Sequence, residues 1–115
     1  MKAVEEVHVL STEDRLLLQK AKEIILKHLP AARIVLYGSV ARGTQEADSD
    51  YDLFALTGRA LSMDEKDAVW SGIYSTELEK DMLLSVMFCS EDQWNAPAFR
   101  GSPRRFEIEQ DGVIL

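Results

Sequence analysis

The chain has 115 residues, 46% hydrophobic and 29% charged, with a formal net charge of −7. Such a composition belongs to a globular chain rather than a disordered one, and the acidic balance argues against a domain that grips nucleic acid through its phosphates, which takes surplus Lys and Arg. With no apolar run of membrane-spanning length, no signal-like N-terminus and Cys89 as the single cysteine, the expected setting is a reducing cytoplasm, and the expected organisation is one domain over residues 1–115.

In chain order, Val4, Val7, Val9 and Leu10 suit a short strand or the lead-in to a helix, and His8 reads as a surface residue. Ser11 or Thr12 caps a helix that runs to Leu29. Glu13 and Asp14 favour its first turn, and Leu16, Leu17, Ile24, Ile25 and Leu29 recur near helical spacing. Pro30 ends it, and His28, in its last turn, complements the helix dipole.

The central stretch follows. An apolar, β-branched run from Ile34 to Tyr37 stops at Gly38-Ser39, and a second apolar run from Leu53 to Leu56 is entered through Asp50 and Asp52. In extended chain, residues two apart share a face, so the two carboxylates stand side by side and repel unless a cation lies between them. Mg²⁺ suits such a pair when a nucleotide's phosphates supply the remaining oxygens. Gly38 allows a sharp turn, and Ser39 opens a single helical turn to Arg42 whose free N–H groups and hydroxyl can face an anion. Gly-Ser after a strand, or Asp-x-Asp before one, is by itself an ordinary turn or solvated loop; the order and strand attachment of both give the signal its weight.

Gly38-Ser39, ten residues, then Asp50-Tyr51-Asp52 resembles the GS-x10-D-x-D signature of the DNA polymerase β-like nucleotidyltransferase superfamily. The flanking residues, Val40 to Thr44 and Asp48 to Leu53, are similar to its minimal nucleotidyltransferase branch; the specific match covers Leu36 to Leu53. The resemblance implies an α/β fold (α+β), with a small mixed sheet, helices packed on one face and the motif at an open edge or cleft. It implies Asp50 and Asp52 as the catalytic, metal-binding pair and Gly38, Ser39 and Arg42 as nucleotide contacts. It further implies transfer of a nucleoside monophosphate, AMP from ATP, to a hydroxyl acceptor. The partner it implies is a HEPN-domain protein, with this chain in the antitoxin role. So small a domain leaves the acceptor largely unheld, which points to an oligomer or a second chain that completes the site.

Past the motif, Thr57-Gly58-Arg59 turns the chain, and Ser62 with Glu65 forms a capping box for a helix to Lys80. It carries Ala68, Val69, Trp70, Ile73, Tyr74 and Leu78 as its apolar residues, with Trp70 and Tyr74 expected to pack on the sheet rather than stack on a base. Met82 to Cys89 is apolar apart from Ser85 and reads as a strand covered on both faces, Cys89 being a small buried hydrophobe. In the superfamily this strand commonly carries a third metal-binding carboxylate. Ser85 stands in its place, which favours an alternative: a nucleotide-binding partner or antitoxin subunit with little transfer of its own. Asp81 has the parity of Ser85 but would lie about 13 Å away along a strand. Near the end, Ser90 to Trp94 begins a short helix or turn, Arg104 to Gln110 a further helix, and Val113 to Leu115 a last strand or docked tail. Arg100, Arg104 and Arg105 form a basic cluster, read as solvated surface with a phosphate or partner contact as the competing use.

Overall fold

Alternation along residues 51–57 sends Tyr51, Leu53 and Ala55 to one side and Asp52, Phe54 and Leu56 to the other, and this split organises the fold. In a computed structural model of the chain, which describes residues 1–45 and 50–115, the strands are β1 (Lys2–Ala3), β2 (Arg33–Tyr37), β3 (Tyr51–Thr57), β4 (Leu84–Ser90) and β5 (Val113–Ile114). They form one mixed sheet in the order β1-β5-β2-β3-β4. Strand β3 is antiparallel to β2 and parallel to β4, while β5 is antiparallel to β2 and parallel to β1. Besides a 3-10 turn at Val4–Glu6, the helices are α1 (Thr12–His28), α2 (Ser39–Arg42), α3 (Met63–Lys80), α4 (Glu91–Asn95), α5 (Pro97–Arg100) and α6 (Pro103–Asp111). None of the described helices is long and apolar enough to cross a membrane.

The two long helices lie on one face, as expected. Leu17, Leu18, Ala21 and Ile25 of α1 and Val69 and Ile73 of α3 bury against Ile34, Leu36, Leu53, Ala55 and Val86. The other face also carries helices, which the sequence did not disclose: Ile108 of α6, Trp94 of α4 and Phe99 of α5 cover Val35, Tyr37, Phe54 and Cys89. Phe54, Trp94 and Phe99 form an aromatic cluster with centroids 5.5 to 6.2 Å apart, and the Arg105 guanidinium sits 3.5 Å from the Trp94 ring centroid. That contact places Arg105 in the packing rather than at a ligand.

Four expectations are corrected. Leu16 in α1 and Tyr74 and Leu78 in α3 face outward, at 67%, 59% and 67% exposure, because apolar residues are scattered around these helices and periodicity alone picks the wrong stripe. Strand β4 is an edge strand, with Ser85 exposed and Met87 and Phe88 half-buried, and is not covered on both faces. Its outer edge is guarded by α3: Trp70 Nε1 donates to the Val86 carbonyl at 3.1 Å, and the Leu84 N–H donates to Glu77 Oε2 at 3.0 Å. Trp70 is likewise corrected: its ring lies 5.3 Å from that of Phe88, but at 38% exposure it sits at the sheet's edge rather than in the core, its ring nitrogen shielding backbone. Asp81 lies outside β4; it ends α3 in the left-handed conformation at φ +53.

Both long helices begin in a capping box, Ser11 with Asp14 and Ser62 with Glu65. The first has a second task. Asp14, only 7% exposed, accepts the Ser11 N–H at 2.9 Å and the Tyr51 phenol at 2.5 Å. This bond ties β3 to the start of α1, and burial together with the Asp14 carboxylate raises the Tyr51 pKa. Replacing Tyr51 with Phe strips a buried carboxylate of one donor and is expected to cost about 1.5–3 kcal/mol, read as a lower urea midpoint at unchanged slope.

Candidate active site

Since Tyr51 is anchored on the α1 side, its neighbour Asp52 must point from the opposite face. The register sets Asp52 beside Tyr37 of β2 and beside Ser85 of β4. Gly38 follows Tyr37 with φ +82 and ψ −158, a conformation L side chains rarely adopt. There is no room for one in any case, because a Cβ on Gly38 would sit 2.5 Å from Asp52 Oδ2. The turn and the carboxylate are therefore in direct contact. From Gly38 the chain enters α2, where the Arg42 N–H donates to the Gly38 carbonyl at 3.1 Å; N–H groups earlier in such a turn have no carbonyl a turn behind them to bond.

Asp50 is exposed and immediately precedes β3. The Asp52 carboxyl is pushed above its ordinary value, first by burial and then by the negative charges of Asp50 and Glu107, with Arg104 and Arg42 opposing. Tyr37 is raised too, chiefly by burial, with Asp52 and Glu107 adding and Arg104 opposing. Asp50, Asp52 and Gly38 are thus brought together. Asp48 and Ser49, part of the motif's flank, lie outside the described residues.

Arg42 does not stand free for a phosphate as expected. Its Nη1 donates to Glu107 Oε1 and to Asp111 Oδ2, each at 3.2 Å. Two carboxylates four residues apart on α6 share one helix face, and both engage the guanidinium. Helix α6 proves to be a wall of the site. Arg104, Glu107 and Asp111 follow an i, i+3, i+7 pattern, a helix stripe legible in the sequence that the sequence reading passed over.

Among the described residues, no group of three or more His, Cys, Asp or Glu has the arrangement to hold a metal ion by itself. The donor set present is the Asp50 and Asp52 carboxylates, whose mutual repulsion already raises Asp52. It fits one Mg²⁺, an ion that keeps several waters and is held by one or two carboxylates plus substrate phosphates. Ser85, exposed beside Asp52, adds no third charge. A cavity of about 380 Å³ lies elsewhere, lined by Val35, Phe54, Leu56, Trp94, Ile108 and others; with neither Asp50 nor Asp52 in its lining, it is not this site.

The nucleotidyltransferase domain family matches residues 18–114. The chain belongs to that family. As a nucleotidyltransferase domain it also resembles solved structures. One, a toxin-antitoxin with AMP-PNP, aligns at 18% identity and TM-score 0.57 over 84% of this chain and 69% of that one. A second, the toxin-antitoxin MntA-HpeT with two aspartates at alternate positions changed to glutamate, aligns at 16% identity and TM-score 0.57 over the same shares. A third, MntA-HpeT with a tyrosine changed to alanine, aligns at 17% identity and TM-score 0.56 over 92% of this chain and 72% of that one. At these identities the likeness establishes the fold. No curated protein gives a significant match.

The raised Asp52 has a consequence for stability. The folded state holds this proton more tightly than the unfolded chain, so its contribution falls as pH rises from the ordinary carboxylate range through the raised value. In metal-free buffer Asp52→Asn should therefore melt higher than wild type at pH 7, with the advantage shrinking towards pH 3, as followed by thermal melts across that range.

Proposed function

We propose that the chain, as a single catalytic domain over residues 1–115, transfers a nucleoside monophosphate, AMP from ATP, to a hydroxyl acceptor on a protein partner of a toxin-antitoxin pair. The observation that carries this reading is the contact of the Gly38 turn with the Asp52 carboxylate, with Asp50 close enough to perturb it. Family membership sets the class of reaction. The AMP-PNP bound to one structural relative and the toxin-antitoxin complexes formed by all three support the nucleotide and the partner. A HEPN-type helical protein suits the partner's role and a cytoplasmic setting suits both, in keeping with the single buried thiol of Cys89.

In this mechanism the Gly38 backbone, the Ser39 hydroxyl and the first N–H groups of α2 hold the β- and γ-phosphates. Asp50 and Asp52 hold Mg²⁺. When bound, the ion neutralises phosphate charge and polarises the reacting phosphoryl group. The acceptor hydroxyl gives up its proton to solvent as its oxygen bonds to the α-phosphorus and the bond to the bridging oxygen breaks, releasing pyrophosphate. Asp52 supplies charge and position rather than a covalent step, so Asp52→Asn should cut transfer of α-labelled nucleotide to the partner by roughly a hundredfold or more. Turnover equal to wild type would remove the assignment.

Ser85 motivates a second reading from another class. Register puts a hydroxyl beside Asp52 where the resemblance implies an acid, and a domain so equipped serves as a nucleotide-binding subunit with little transfer. Calorimetry with MgATP, run beside the labelling assay, separates the two. Label on the partner with the wild-type chain is the expected result; binding without label, together with label gained by Ser85→Asp, would decide for the binding subunit.

A further inference from the structure

The sequence assigned Arg42 to the phosphates, yet Glu107 and Asp111 occupy it. This leaves the site's positive charge to be found elsewhere. Arg104 opens the α6 stripe that continues through Glu107 and Asp111, so it faces the same side of the helix. Its Nη1 reaches Met87 Sδ at 3.0 Å. Met87 pairs with Phe54, two residues beyond Asp52 on the same face of the sheet, which puts its Cα about 8 Å from that of Asp52.

Three features set this arginine apart from the other cations at hand. Among the described residues no carboxylate comes within 4.0 Å of Arg104, whereas Arg42 and Arg105 are both in ion pairs. A thioether is a weak acceptor and neutralises nothing. Arg104 is also an exposed residue, so a ligand can reach it without displacing packed chain. Arg105, the adjacent arginine, is committed to the Trp94 ring and carbonyl.

We propose that Arg104, and not Arg42, is the cation that binds the nucleotide's phosphate chain, reaching from α6 across Met87 to phosphates seated on the Gly38–Ser39 turn beside Asp52. This inference rests on the nucleotide site proposed above. The planar guanidinium fork suits bidentate binding of phosphate oxygens, and the Met87 contact aims it before the nucleotide arrives. Arg42 has a positioning role through α6, tying that helix to α2 so that its N-terminal end is carried over the site.

The test is calorimetry with MgATP and, separately, with magnesium tripolyphosphate, which probes the phosphate contacts alone, on wild type and on Arg104→Gln, Arg104→Lys and Arg42→Gln. Arg104→Gln should weaken both ligands by about ten- to hundredfold with a melting temperature close to wild type. Arg104→Lys should fall between, since it restores the charge but not the fork, and Arg42→Gln should bind both ligands at least tenfold more tightly than Arg104→Gln. Wild-type affinity in Arg104→Gln, or a loss confined to ATP, overturns the role of Arg104 and leaves the nucleotide site standing. A wild-type chain that binds neither ligand overturns both.

Discussion

The buried hydrogen bond from the Tyr51 phenol to Asp14 is the constraint on which the arrangement depends. Side chains alternate along a strand, so fixing one residue to the α1 side fixes the direction of the next, and a slip of one position would drive Asp52 into the apolar core and Tyr51 out of it. Asp14 can accept the bond because it is already part of the α1 capping box, with Ser11 on the other side. The start of a helix far from Asp52 in sequence therefore decides which way the strand's acidic residue points. Contact between Asp52 and Gly38 follows from the same register, since Tyr37 pairs with Asp52 and Gly38 comes next.

Around that contact the charges are deliberately unbalanced. Asp50, Asp52 and Glu107 repel one another, burial adds to the cost at Asp52, and the two arginines that offset it stand in different circumstances. Arg42 is held between the carboxylates of Glu107 and Asp111, whereas Arg104 has no carboxylate partner among the described residues. A site with surplus negative charge in the free protein gains stability from whatever cation enters it, and local instability of this kind is common where a protein must bind rather than merely fold.

Much of the scaffold was legible because its signals are local. Ser11 and Ser62 mark helix starts, Pro30 a helix stop, and α3 ends at Lys80 as read. The GS-x10-D-x-D spacing located the turn and the strand after it, and the place of Ser85 beside Asp52 follows from the register. What sequence could not give is tertiary. Tyr74 and Leu78 are apolar but lie outside the buried stripe of Val69, Ile73 and Thr76, a choice made by where the sheet is and not by periodicity. The commitment of Arg42 to Glu107 and Asp111 joins residues more than sixty positions apart. The three short C-terminal helices each carry too few apolar residues to reveal that they roof the sheet's second face.

Strand β4 lies at the margin of the sheet, and side chains of α3 already occupy its outward Leu84 N–H and Val86 carbonyl. The opposite margin is the two-residue β1. Among the described residues, then, one border is partly capped by side chains and the other is short, and both features disfavour a companion protein's extending the sheet with a strand of its own. Recognition is steered instead to side-chain surfaces, where shape and charge discriminate among companions and where self-association into fibres finds little purchase.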